Sequence, residues 1–85
     1  MKDMEIQSVI KSVLSQVSHA DERYGPFKSS HEGFGVLAEE VVELLDSIRE
    51  NDIVGIKIEA IQVSATALRI AVCCEDEEFQ KRSVK

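Results

Sequence analysis

Apolar residues recur along this chain at helical spacing in three long runs, separated by two interruptions. The longest run, Ile53–Cys74, is apolar at 15 of its 22 positions. Laid on a helix at about 100° per residue, its polar residues Glu59, Gln62, Thr66 and Arg69 recur at spacings of 3, 4 and 3 and form one narrow stripe, with Lys57 and Ser64 off it. A helix this apolar is expected to be buried on most sides, so the stripe should face something other than bulk water. A carboxylate, an amide, a hydroxyl and a guanidinium placed there cost free energy unless each is paired. Either they satisfy one another across helices, or they bind something.

The run before the first interruption sets Ile6, Val9, Ile10, Val13, Leu14 and Val17 at i, i+3, i+4, i+7, i+8 and i+11, which predicts an amphipathic helix over about 4–20 with Asp3 as its N-cap. Its other face, Gln7, Ser8, Lys11, Ser12 and Ser15, reads as solvated. Residues 21–30 break the pattern at Gly25-Pro26. Tyr24 and Phe27 flank that turn and either close the end of the core or wall a ligand site. Ser29-x-x-Glu32 reads as a capping box, opening a second helix over about 30–50 whose core face is marked by Phe34, Leu37, Val41, Leu44, Leu45 and Ile48. Gly33 and Gly35 each weaken its first turns by about 1 kcal/mol relative to Ala; they either permit close backbone approach or are incidental. Asn51-Asp52 is a very short link, with Asp52 a good N-cap for a third helix over about 53–74, and so tight a link predicts an antiparallel helical hairpin. Ile56–Glu59 and Ile61–Ala67 also alternate with period two, but a run of this length is too long for one strand. The tail 75–85 turns to charge and either extends the third helix, forms a short further turn or frays.

Eighty-five residues make one domain, 1–85, with a limited core. The expected fold is all-α: the hairpin plus an N-terminal helix, oligomerising through helices one and three as a homodimer or homotetramer into a four-helix-type bundle, because helix three is apolar on too many sides for two short partners to cover. Adjacent Cys73 and Cys74 are poor disulfide partners and read as small buried hydrophobes, which fits a reducing, cytoplasmic compartment. The N-terminus lacks the apolar segment of a signal peptide, and Lys57, Glu59 and Arg69 argue against a membrane span in the third run. A formal net charge of −6 opposes binding to a nucleic-acid polymer and suits a protein that recruits cations.

The candidate chemistry lies on the hairpin. Glu40 and Glu43 share a face of helix two at i, i+3, and Glu59 and Gln62 do the same on helix three. Glu39 is the most solvated of the acidic set. Folding back at Asn51-Asp52 brings both pairs to a similar height, roughly 11–12 Å from the turn at 1.5 Å per residue. Several carboxylates gathered together do not all stay ionised without a cation, and oxygen donors alone favour Mg²⁺, or Mn²⁺, over Zn²⁺.

Helices two and three resemble the MazG-like, all-α nucleoside triphosphate pyrophosphohydrolase superfamily, whose signature is EExxE, a gap, then ExxD. This chain has Glu39-Glu40-x-x-Glu43, fifteen intervening residues, then Glu59-x-x-Gln62. The stretches HEGFGVLAEEVVELL and EAIQVSATALRI also resemble small members, and the likeness covers about Ser30–Ala71. Gln62 stands where the family has Asp; an amide still offers one oxygen to a metal but brings no charge. The resemblance implies Mg²⁺-dependent hydrolysis of a nucleoside triphosphate to the monophosphate and pyrophosphate, of house-cleaning type. It implies Glu40, Glu43, Glu59 and Gln62 as metal ligands and Glu39 or Glu40 as general base. It also implies Arg69, His31 and Lys57 as candidate substrate contacts, with Lys57 and Lys28 the weaker ones, alternatively solvated. Arg69 is alternatively an intersubunit salt bridge, and His31 an exposed first-turn residue. The alternative from a different class is a non-catalytic helical binding or assembly module on the same scaffold, its polar stripe a network fixing helix register.

Overall fold

The structure, a computed structural model, describes residues 2–84. Four helices follow in order: α1 (Asp3–Tyr24), α2 (Ser30–Arg49), α3 (Ile53–Cys73) and α4 (Glu77–Ser83), with no strand among the described residues. The chain is all-α, and the stretches of α3 that alternate with period two are helical. Packing overrides the weak preference of their β-branched side chains.

The helix ends show where local chemistry decides. α1 continues four residues past its expected end and stops where Gly25 takes φ +73°, its N–H closing on the Asp21 carbonyl at 2.9 Å. The loop is therefore 25–29 rather than 21–30. Asp3 is not the N-cap of α1; Lys2 holds that position without a side-chain bond, and Asp3 lies in the first turn, where negative charge meets the positive helix end. Ser29 caps α2 as expected, its hydroxyl accepting from the Glu32 N–H at 3.2 Å. Glu32 returns one residue further back than in a strict capping box, accepting from the Lys28 N–H. Asn51 ends α2 at φ +57°, a conformation asparagine tolerates. Asp52 caps α3 by accepting from the Gly55 N–H at 3.0 Å.

α3 is the central element, packing on both α1 and α2. Along the α2–α3 contact, Ser47 meets Gly55, Glu43 meets Glu59, Glu40 meets Thr66 and Gly33 meets Ile70, so the contacts run in opposite directions along the two helices. A Cβ on Gly33 would stand 2.8 Å from Ile70 Cγ1 and 3.3 Å from the Phe27 ring, whereas one on Gly35 would meet nothing. Gly33 therefore permits a close approach of α2 to α3 and Gly35 does not. The tail folds into α4, which buries Phe79 against Phe27 and Cys73. Ser83 ties α4 back to α2 by accepting from the Ser30 N–H at 2.8 Å.

The expected core faces need correction. Phe34 is 67 % exposed, and Val41, Leu45 and Ile48 are exposed beside it. The face that α2 turns inward is instead Gly33, Val36, Leu37, Glu40, Leu44 and Ser47, each buried or half-buried and, apart from the adjacent Val36 and Leu37, three or four residues from the next. On α1 the inward stripe is Val13, Gln16, Val17 and Ala20, while Ile6, Val9, Ile10 and Leu14 are exposed. α3 is not covered on most sides either, since Ile53, Val54, Ile58 and Val72 are exposed. Cys73 is buried as expected and Cys74 is not. Among the described residues no helix is long and apolar enough to cross a membrane.

Candidate functional site

The polar stripe of α3 is turned inward, as its sequence context requires. Thr66 and Arg69 are buried, and Glu59 and Gln62 are half-buried. Each finds different company. Arg69 Nε donates to Asp21 Oδ1 at 3.2 Å, and its Nη2 donates to the Gly25 carbonyl at 2.8 Å. Its guanidinium lies over the Phe27 ring, 4.2 Å from the centroid. Arg69 thus anchors the end of α1 and the 25–29 loop onto α3, with its ion pair to Asp21 of the same chain. Gln62 Nε2 donates to Gln16 Oε1 of α1 at 2.8 Å.

Glu59 has no such donor. Burial pushes its pKa above the ordinary 4.5, and the Glu43 carboxyl in contact with it and the Glu40 carboxyl beyond push the same way. Glu40 is also raised. Burial is the main cause, Glu43 and Glu39 add to it, and the Thr66 hydroxyl and Arg69 pull against it without cancelling it. Oε1 of Glu40 and Oε2 of Glu59 are buried without a hydrogen-bond partner. Of the four side chains expected to converge across α2 and α3, Glu43 touches Glu59 with Glu40 nearby, whereas the Gln62 amide is bonded to Gln16 of α1. The defining property of the three carboxyls is a surplus of acceptors. A buried carboxylate oxygen with no donor is costly, and a proton or a cation relieves it.

Beside these carboxylates lies a cavity of about 740 Å³, framed by the end of α1, the 25–29 loop, α2 and α3. Glu40, Gln62, Thr66 and Arg69 line it on the α2 and α3 side, and Gln16, His19, Arg23 and Tyr24 on the α1 side, with Lys28 from the loop. Its volume is in the range of small-molecule sites, roughly 300–1,000 Å³. Among the expected site residues, Glu39, Glu43, His31 and Lys57 are exposed and do not line the cavity, and half-buried Glu59 does not line it either. Among the described residues, no three His, Cys, Asp or Glu side chains are gathered closely enough to hold a metal by themselves.

Three participants escape the motif-based reading: Gln16, Asp21 and His19. Their signal is present but faint. Gln16 continues the inward stripe of α1 between Val13 and Ala20, and Asp21 lies one turn beyond Val17. Nothing in α1 alone says which polar residue a neighbouring helix will meet.

The fold and site together define a small all-helical protein with a carboxylate cluster at the edge of a ligand-sized cavity. Compared with family models, with curated proteins and with solved structures, the chain matches none.

Proposed function

We propose that this chain is a Mg²⁺-dependent nucleoside triphosphate pyrophosphohydrolase built on an antiparallel helical hairpin, with protomers pairing into a larger bundle. The observation that carries the reading is the pair of partnerless buried oxygens, Glu40 Oε1 and Glu59 Oε2, on carboxyls whose pKa values are raised. The donor set fits Mg²⁺, which is commonly held by one or two carboxylates, with water and substrate phosphates completing its shell. Glu40, Glu43 and Glu59, with the Gln62 oxygen, would hold it. When bound, the ion supplies positive charge against the triphosphate and acidifies water.

The protein's own groups then have separable tasks. Glu40 is better placed than Glu39 to take the proton of the attacking water, because it lines the cavity and Glu39 does not. Attack between the α- and β-phosphates gives a nucleoside monophosphate and pyrophosphate. Arg69 is the buried cation of the cavity, and it keeps Nη1 without a partner among the described residues, free to meet a phosphate oxygen. Lys28 and Arg23 are better situated to follow than Lys57 or His31, which do not line the cavity.

Pyrophosphate release across a panel of ordinary and modified nucleoside triphosphates tests the reading. Turnover that stops with EDTA and in Glu43→Ala is expected. No turnover on any member of the panel overturns it.

A second reading, a non-catalytic helical assembly module, draws on the exposed apolar stripe of α2 formed by Phe34, Val41, Leu45 and Ile48. It predicts that Glu59→Ala, with Mg²⁺ absent, alters the register or thermal midpoint of the assembly. An unchanged metal-free midpoint in that variant counts against it.

A further inference from the structure

Gln62 occupies a position where its two ends would have opposite consequences. The amide nitrogen offers two N–H donors and the oxygen is an acceptor. Gln62 shares a face of α3 with Glu59, one turn away, and shares the cavity wall with Glu40. Left to itself beside partnerless carboxylate oxygens, a primary amide is expected to turn its N–H groups toward them. It would then act as neutral glue and occupy the place a cation would take. The structure shows the reverse. The Gln62 N–H goes to Gln16 Oε1 on α1 at 2.8 Å, while Glu40 Oε1 and Glu59 Oε2 remain without a donor. Gln62 Oε1 also has no hydrogen-bond partner among the described residues.

We propose that Gln16 is a positioning residue: by taking the Gln62 amide nitrogen it keeps donors out of the carboxylate cluster and leaves Gln62 Oε1 as a neutral oxygen ligand for a divalent cation. The inference rests on the cation-site reading above and deepens it. It assigns to α1, which carries none of the acidic motif, the task of making an amide serve where a carboxylate would need no help. A carboxylate at position 62 presents oxygen at either end, so its orientation does not matter; an amide must be held. The same logic by which outer partners fix the orientation of metal-ligating side chains applies here, and loss of such partners typically weakens metal binding about 10- to 100-fold.

The test uses the full chain and Mn²⁺ alone as the probe, titrated by calorimetry in four proteins: unaltered, Gln16→Met, Gln62→Glu, and the double variant. Methionine preserves the length and packing of Gln16 but accepts no amide N–H of comparable strength. Gln16→Met is expected to weaken Mn²⁺ binding about tenfold in the unaltered background. In the Gln62→Glu background it should change binding by less than about threefold, because either carboxylate oxygen can ligate. Metal-free thermal midpoints, read in EDTA, should fall by a similar small amount in both backgrounds. An equal loss of Mn²⁺ affinity in both backgrounds overturns the proposal, since Gln16 would then act only by packing α1. So does unchanged affinity in Gln16→Met, with the cation site itself surviving. Failure of all four proteins to bind Mn²⁺ overturns the proposal together with the cation-site reading, a result distinct from the other two.

Discussion

Glu59 shows how one side chain can be at odds with its surroundings. It is half-buried, in contact with a second carboxyl, near a third, and one of its oxygens has no donor. Its folded pKa, like that of Glu40, is raised above the ordinary 4.5. The folded chain therefore holds these protons to higher pH than the unfolded chain does. Below the ordinary value both states are protonated and nothing is lost; as pH rises through the raised folded value, the folded state must ionise a group it disfavours, and stability falls. In EDTA, Glu59→Gln should accordingly melt above the unaltered chain at about pH 8, and the gap should close as pH is lowered toward about 5. A difference of about 1 kcal/mol would appear as roughly 4–8 °C in a domain of this size. Adding Mg²⁺ should reverse the order, stabilising the unaltered chain and leaving the variant behind; a gap independent of both pH and Mg²⁺ would mean the carboxylates do not interact. Arg69 is the opposite case, a buried charge with company on several sides. Arg69→Met should cost about 2–4 kcal/mol in urea unfolding, because the Gly25 carbonyl loses its donor and the loop its anchor. Asp21→Asn should cost under about 1 kcal/mol, since Asp21 is 55 % exposed and its half of the ion pair is solvated.

At the level of elements, the packing of the two helices in most extensive contact is set by how closely α2 can approach α3. Gly33 is one point of close approach. Gly33→Ala forces its new methyl into Ile70 Cγ1 at 2.8 Å, so a gain in helix propensity of about 1 kcal/mol is overtaken by overpacking. At Gly35, where a methyl meets open space, the same substitution should raise stability by about 0.5–1 kcal/mol. The two midpoints, measured side by side, should move in opposite directions. α4 is a shorter element held chiefly by Phe79, 4 % exposed, and by the Ser30–Ser83 hydrogen bond. Phe79→Ala should release α4 without unfolding α2 and α3, seen as fast amide exchange over 77–83 while α3 stays protected. The capping signals at Ser29 and Asp52 were legible as local chemistry, because a cap involves only residues three apart. The end of α1 was less so. Gly25 stops the helix, and the bond that holds its last turn to α3, from Arg69 to Asp21, spans 48 positions.

For the whole molecule, the protomer leaves much apolar surface uncovered. Among the described residues the buried hydrophobic side chains are Phe27, Ala65, Cys73 and Phe79, while α1, α2 and α3 each carry an exposed apolar stripe. Patches larger than a few hundred Å² are uncommon on stable monomers, which supports the proposal that protomers associate. Analytical ultracentrifugation should give a dimer or tetramer at micromolar concentration, and a charge placed in the α2 stripe, Leu45→Glu, should shift it toward monomer. A monomeric unaltered chain would remove this part of the proposal.

The sequence by itself determined the all-helical class, the two short-range caps, the tight α2–α3 link and the fact that Glu59, Gln62, Thr66 and Arg69 share one face. All of these depend on spacing within a few residues, where helix geometry is rigid. Only the tertiary structure decided which of two apolar stripes on α2 turns inward, because both have helical period. It alone showed that the inward stripe carries Glu40, that Arg69 is held by Asp21, and that Gln62 is held by Gln16. Those pairings join residues more than forty positions apart, and their partners are selected by how α1 lies against α3, which no local pattern encodes.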